Sequence, residues 1–280
     1  MTSHPESADS LPQPGVPVIR NINWGGLRTL YIKEVRRFFK VQLQTIWAPA
    51  VTTLLFLVIF TVALGGSGRT VSLDGREFHY ADFLAPGLIV MGMLQNAFAN
   101  ASFSLLVGKI QGTIVDYLMP PLSTAELLAA LTGGAVTRAF CVGGAVWLAM
   151  LAWLGTSVVP QHVWAVLWFG LLGSTFLALL GVLTSIWAEK FDHAAAVTNF
   201  VVAPLALLSG TFYSVDRLEP LFRTISHLNP FFYVISGFRY GFLGVADSPI
   251  LVGSLVILGL DVVLGLSCYA LLKSGWKLKS

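Results

Sequence analysis

The chain has 280 residues, of which 55% are hydrophobic and only 11% charged, with a net charge of +3. A soluble domain carries about 25% charged residues, so this composition excludes a molecule that covers itself in water with its own charges. The two cysteines, Cys141 and Cys268, fall inside apolar runs and read as small buried hydrophobes, not as a disulfide framework.

Residues 1–20 are rich in Pro, Ser and Gly and lack the hydrophobic core and cleavage site of a signal peptide, which predicts a disordered cytosolic tail. Residues 21–280 read as one transmembrane domain. It opens with an amphipathic segment over 24–40. Leu27, Leu30, Tyr31, Val35 and Phe38 share one helical face, and Lys33, Arg36, Arg37 and Lys40 the other, with Arg28 and Glu34 interrupting the pattern. A basic amphipathic helix before a spanning segment is expected to lie along the headgroup layer, as an anchor or as a docking surface.

Six transmembrane helices follow in an all-α integral membrane fold, over about 46–65, 83–107, 127–157, 163–187, 196–213 and 250–272. About 20 apolar residues cross a hydrocarbon core roughly 30 Å thick. The third is long enough to start in the cytosol or to tilt, with Arg138 near one membrane face. With the N-terminus inside, Lys33, Lys40, Lys109, Lys190, Lys273, Lys277 and Lys279 are all cytosolic, and the external segments hold Arg69, Arg76, Arg217, Arg223 and Arg239 but no lysine. Both termini are therefore expected in the cytosol, after an even number of crossings. The stretch 214–249 contains an apolar piece too short to span, Phe231–Leu243, and is read as external re-entrant or interfacial helices.

No nucleotide site is encoded. The cluster Gly65-Gly66-Ser67-Gly68-Arg69-Thr70 lacks the spacing and lysine of a phosphate loop and reads as an external turn. The histidines show no metal-ligand spacing, and neither a G-x-S-x-G elbow nor an H-E-x-x-H helix is present. No metal site is expected.

The cytosolic stretch Gly108–Ser123 reads as a short helix stopped by Pro120-Pro121, with Ser123 and Glu126 as a capping box for the next helix. Its helix is suited to docking in a groove of another protein or, more simply, to joining two spans. Asn96, Asn100 and Ser104 at i, i+4 and i+8 form a polar stripe on the second span, which in lipid must face protein or water. Gly133, Gly134, Gly143 and Gly144 permit close helix packing. Asp261, an intramembrane charge in the last span, costs about 2.5–3.5 kcal/mol on insertion scales and is expected to be paired or protonated.

Three motifs come in order along the external half: Leu208-Ser209-Gly210-Thr211-Phe212, then Asn229-Pro230-Phe231-Phe232-Tyr233, then Gly237-Phe238-Arg239-Tyr240-Gly241. With the basic helix containing Lys33, Glu34, Arg37 and Phe38, and the Gly112-Thr113 segment, they make the chain resemble the permeases of ABC-2-type transporters, nearest the subgroup for drug or lipo-oligosaccharide export. The resemblance covers nearly the whole chain. It implies a homodimeric permease in a bacterial cytoplasmic (inner) membrane, paired with two copies of a separate ATPase subunit. ATP and Mg would be bound on that subunit, and no cofactor on this chain. Membrane lipid is an expected partner and nucleic acid is not. Glu34, Arg37, Gly112, Thr113 and Asp116 would rest on the ATPase, with Glu189 and Asp192 in a second, smaller contact. Asn96, Asn100, Ser104 and Asn199 are path candidates, and Asn229, Pro230, Tyr233 and Arg239 belong to an external block acting as a gate. The expected cargo is an amphiphile, drug-like molecule or glycan or lipid. The alternatives are an ion- or proton-coupled carrier titrating at Asp261 and, more remotely, a membrane-embedded enzyme.

Overall fold

The computed structural model describes residues 22–63, 68, 70–73, 75–152, 158–215 and 218–278. The expected tail over 1–20, most of the 65–70 glycine cluster and the last residues of the first and third expected spans lie outside them.

Helix α1, Trp24–Phe39, starts on Asn23, whose side chain accepts from the Gly26 amide at 2.9 Å, and ends with Arg36 and Arg37 against the negative end of its dipole. Leu30, Glu34 and Phe38 are its buried residues, at i, i+4 and i+8. Its apolar face packs on the long helix that begins at Thr124. Glu34 is no interruption: it is fully buried.

Helix α2, Leu43–Ala63, opens and closes with π-type turns, Leu43–Trp47 and Ile59–Ala63. Thr53 and Thr61 bond back to the carbonyls of Pro49 and Leu57, so their hydroxyls are satisfied inside the helix. A two-stranded antiparallel hairpin then pairs β1, Thr70–Leu73, with β2, Arg76–His79, in the register Thr70↔His79 and Leu73↔Arg76. The hairpin apart, every regular element among the described residues is helical, as expected of an all-α membrane fold. Gly75 at φ +73° sits in the connection, and Asp74-Gly75 is a hairpin dipeptide that the apolar pattern of the neighbouring spans obscures.

Helix α3, Tyr80–Ile110, is the axis of the bundle, with its most extensive contacts to the long helices that begin at Val163 and Thr124. A connection carrying the short α4, Val115–Leu118, leads to α5, Thr124–Leu151, whose N-terminus has the expected Ser123–Glu126 capping box. Then come α6, Val163–Trp187, and α7, Phe191–Leu207. The pair α8, Pro220–Leu228, and α9, Pro230–Leu243, precedes the last helix α10, Ile250–Ser274. Helices α3 and α6 approach closely because a Cβ on Gly181 would lie 2.7 Å from the Phe98 carbonyl oxygen.

Among the described residues five helices are long and apolar enough to cross a membrane: α2, α3, α5, α6 and α10. The fifth expected span, 196–213, corresponds to α7, which is shorter, about 26 Å at the standard rise, and contains a π-type turn at Thr198–Val202. Helix α9 has 14 residues, most of them buried against α6, α3 and α10. Large apolar side chains are exposed along α2 and α10, such as Leu55, Val62, Leu255 and Leu266.

Candidate functional site

Four of the residues assigned to energy coupling and to the path, Glu34, Arg37, Asn100 and Ser104, meet in one polar cluster between α1, α3 and α4. Glu34 lies at its centre. Its Oε2 is 2.9 Å from Arg37 Nη2 and accepts from Ser104 Oγ at 2.9 Å, while Oε1 accepts from Tyr117 Oη at 3.2 Å. Arg37 Nη2 also reaches the Asn100 carbonyl at 2.8 Å, Asn100 Oδ1 at 3.2 Å and Ser104 Oγ at 2.9 Å. One nitrogen thus serves four oxygens, fixing the pitch of α1 against the polar stripe of α3.

Tyr117 gives the connection its anchor. Burial, and then the neighbouring Glu34 carboxylate, push its phenol up to about 12, so it remains a donor at neutral pH. Lys33 Nζ sits 3.8 Å over its ring. Around this buried residue Gly112, Thr113, Val115, Asp116, Leu118 and Met119 are exposed, Met119 by 77%. Gly112 has φ +71°, a conformation that favours glycine.

The stripe continues upward. Asn96 donates to the Gly92 carbonyl and accepts from Arg138 Nη2 at 2.9 Å. Arg138 was expected near a membrane face, but it stands midway along α5 and turns into the bundle because Asn96 offers an oxygen there. At the second expected contact, Lys109 Nζ bonds the carbonyls of Ser185, Ile186 and Ala188, closing the C-terminus of α6. Glu189 pairs with Lys277 at 2.8 Å, which holds its carboxyl below the usual range. Asp192 is exposed.

The block from Leu205 to Asp247 is a latch between its own motifs. Asn229 accepts from the Phe231 amide at 3.0 Å, starting α9 with Pro230 in its first turn, and donates to the Leu205 carbonyl at 2.7 Å. Arg239 donates to the Gly210 carbonyl at 2.8 Å, pairs with Asp247 and lies 3.8 Å over the Phe83 ring. Arg239 and Asp247 are 1% and 3% exposed. Asn229 and Arg239 thus hold the Leu205–Gly210 turn against α9, Tyr233 is half-buried beside Gly253, and Asn199 is exposed on α7. Asp261 is buried, and neither carboxylate oxygen has a hydrogen-bond partner among the described residues. Among those residues no group of three or more His, Cys, Asp or Glu is placed to hold a metal ion.

A family model described as ABC-2 type transporter matches residues 26–243. The chain belongs to the ABC-2 type transporter family. The match runs from α1 through α9 and so covers both the Glu34 cluster and the latch. The inner membrane transport permease YadH of Escherichia coli K12 is 36% identical over 261 residues, 93% of this chain and 99% of that protein. Nodulation protein J of Rhizobium leguminosarum bv. viciae is 27% identical over 239 residues, and that of Neorhizobium galegae 26% over 196, covering 90% and 74% of those proteins.

In this ABC-2 chain Glu34 is not on the surface offered to a partner: any part it has in coupling is indirect, through Arg37 and Tyr117. Tyr117, Arg138, Lys109 and Asp247 were missed. The signal for Asp247 was present, since a buried Arg239 in an apolar block requires a nearby carboxylate. Arg138 sits among small and apolar residues, and no spacing rule connects it to Asn96 on another helix.

Proposed function

We propose that this chain is the membrane-embedded subunit of an exporter in a bacterial inner membrane, driven by a separate ATP-hydrolysing subunit. Two copies of the chain would pair with two of that subunit, which would bind ATP and Mg. Family membership and the printed names of the relatives support a transport permease. The observation that carries the coupling step is the exposed rim of the α3–α5 connection, Thr113 to Met119, standing on a buried Tyr117–Glu34–Arg37 cluster. Force applied to that rim would pass to α1 and α3. Glu189 and Asp192 supply the smaller contact. Helix α7 would complete six crossings with both termini cytosolic, and α8 and α9 would form the external re-entrant pair. The cargo is an amphiphile, with drug-like, glycan and lipid molecules as its candidate classes.

Inside-out vesicles carrying this chain with and without an ATP-binding-cassette ATPase subunit test the proposal. We expect ATP-dependent uptake of a fluorescent amphiphile, and a drop of about tenfold or more on Asp116→Ala with the chain still inserted. The second reading, a proton-coupled carrier, is favoured by the partnerless Asp261. Uptake driven by a pH gradient in vesicles holding this chain alone, abolished by Asp261→Asn, would replace the exporter with the carrier.

A further inference from the structure

Three cavities follow one another along the face made by α1, α2, α3 and α5. The first is a groove of 680 Å3 lined by Thr29, Ile32, Lys33, Arg36, Arg37 and Lys40. Its lining has four cations and no acid. Arg36 and Lys40 are exposed and make no ion pair among the described residues. Like charges three and four residues apart on a helix repel by about 0.2–0.5 kcal/mol per pair, so this row is disfavoured until an anion joins it.

Arg37 also lines the second cavity, of 150 Å3, with Asn100, Arg138 and the apolar Phe38, Val41 and Phe103. Two N–H groups among its lining residues have no partner: Asn100 Nδ2 and Arg138 Nε, both buried. Asn100 is 1% exposed. A buried donor left empty costs about 1–3 kcal/mol, and both of these free groups are donors. The hydrogen bond from Arg138 to Asn96 leads to the third cavity, of 340 Å3, where Gln44, Thr52, Thr53, Gln95 and Asn96 present amides and hydroxyls. From the basic end upward the sequence is cation row, then donors among apolar rings, then neutral polar groups.

We propose that the cargo is an anionic amphiphile, whose phosphate or carboxylate headgroup is collected by the α1 groove and handed through Arg37 to the Asn100–Arg138 cavity. Oxyanions match fixed guanidinium and amide donors. The apolar tail stays against Phe38, Val41 and Phe103 or in the adjoining lipid. This deepens the exporter reading and rests on it.

The test is direct binding to the full chain in nanodiscs of pure phosphatidylcholine, with fluorescent dodecyl phosphate as probe and dodecyl phosphocholine as its zwitterionic control. We expect the phosphate probe to bind at least about tenfold tighter, and Arg36→Gln with Lys40→Gln to remove most of that preference. Arg28→Gln, an exposed cation of α1 outside the groove, should leave it intact, and Asn100→Ala, which removes an unpartnered donor of the second cavity, should weaken binding severalfold. No preference between the probes, an equal loss with Arg28→Gln, or full competition by inorganic phosphate would each overturn the inference. So would unchanged binding in Asn100→Ala, since the anion would then be a surface lipid. The readout needs neither ATP nor ATPase. Selective binding without ATP-driven transport therefore counts against the exporter reading alone, and ATP-driven transport with no anion preference against the inference alone.

Discussion

Glu34 illustrates how a single carboxylate acquires several duties by being buried. Both oxygens are occupied by donors from three elements. Removing one partner of a buried pair costs about 3–5 kcal/mol, because the other charge is left stranded. Glu34→Ala is expected to fall in this range and Glu34→Gln well below it, since the amide keeps an acceptor for Tyr117 or Ser104. Thermal unfolding of the detergent-solubilised chain reads the difference, and equal losses would mean that the charge, not the hydrogen bonding, holds the cluster. The sequence exposed the residue but not its role: an acid breaking an apolar face looks like an imperfection until its partners Ser104 and Tyr117, from distant parts of the chain, come into place.

At the scale of elements, the seating of α1 on α5 depends on a missing side chain. A Cβ on Gly134 would lie 2.7 Å from Glu34 Cβ, whereas one on Gly144, further along the same helix, would meet nothing within 4 Å. Gly134→Ala must shift α1 and should destabilise by about 1–3 kcal/mol; Gly144→Ala should be neutral or slightly stabilising through helix propensity. Thermal unfolding, together with a spin-label distance between α1 and α5, distinguishes displacement from simple loss of stability. The capping box, the short cytosolic helix and the existence of α8 and α9 were legible because each is written in contiguous residues. The hairpin β1–β2 and the shortness of α7 were not. Four-residue strands leave no lasting period, and hydropathy does not register where Gly210 at φ +76° and Arg239 turn the chain after Leu207.

For the whole molecule, the asymmetry of lysine placement makes a topological prediction. In a chain freed of Cys141 and Cys268, cysteines replacing Lys190 and Lys273 should react only with reagent supplied on the cytosolic side, and one replacing Arg76 only from outside. Labelling of positions 190 and 273 from opposite sides would mean an odd number of crossings between them, so that α7 does not span. The membrane class and the order of helices came from composition and periodicity, which lipid makes unusually informative. The polar face joining three cavities did not, since it is assembled from α1, α2, α3 and α5 across a hundred residues of sequence.

One small arrangement bears on how such a molecule moves. The Glu126 carboxylate accepts from the Asn23 amide at 2.6 Å and from the Ser123 amide at 2.7 Å, while Asn23 Nδ2 donates to the Pro121 carbonyl at 3.0 Å. The entrance of α1, the end of the exposed rim and the first turn of α5 are thereby riveted together at one point. A rim fastened in this way does not give under load like a hinge. In the proposed exporter it would be the short arm of a crank whose long arm is α5, so a push on the rim would be delivered as a swing of the far end of that helix.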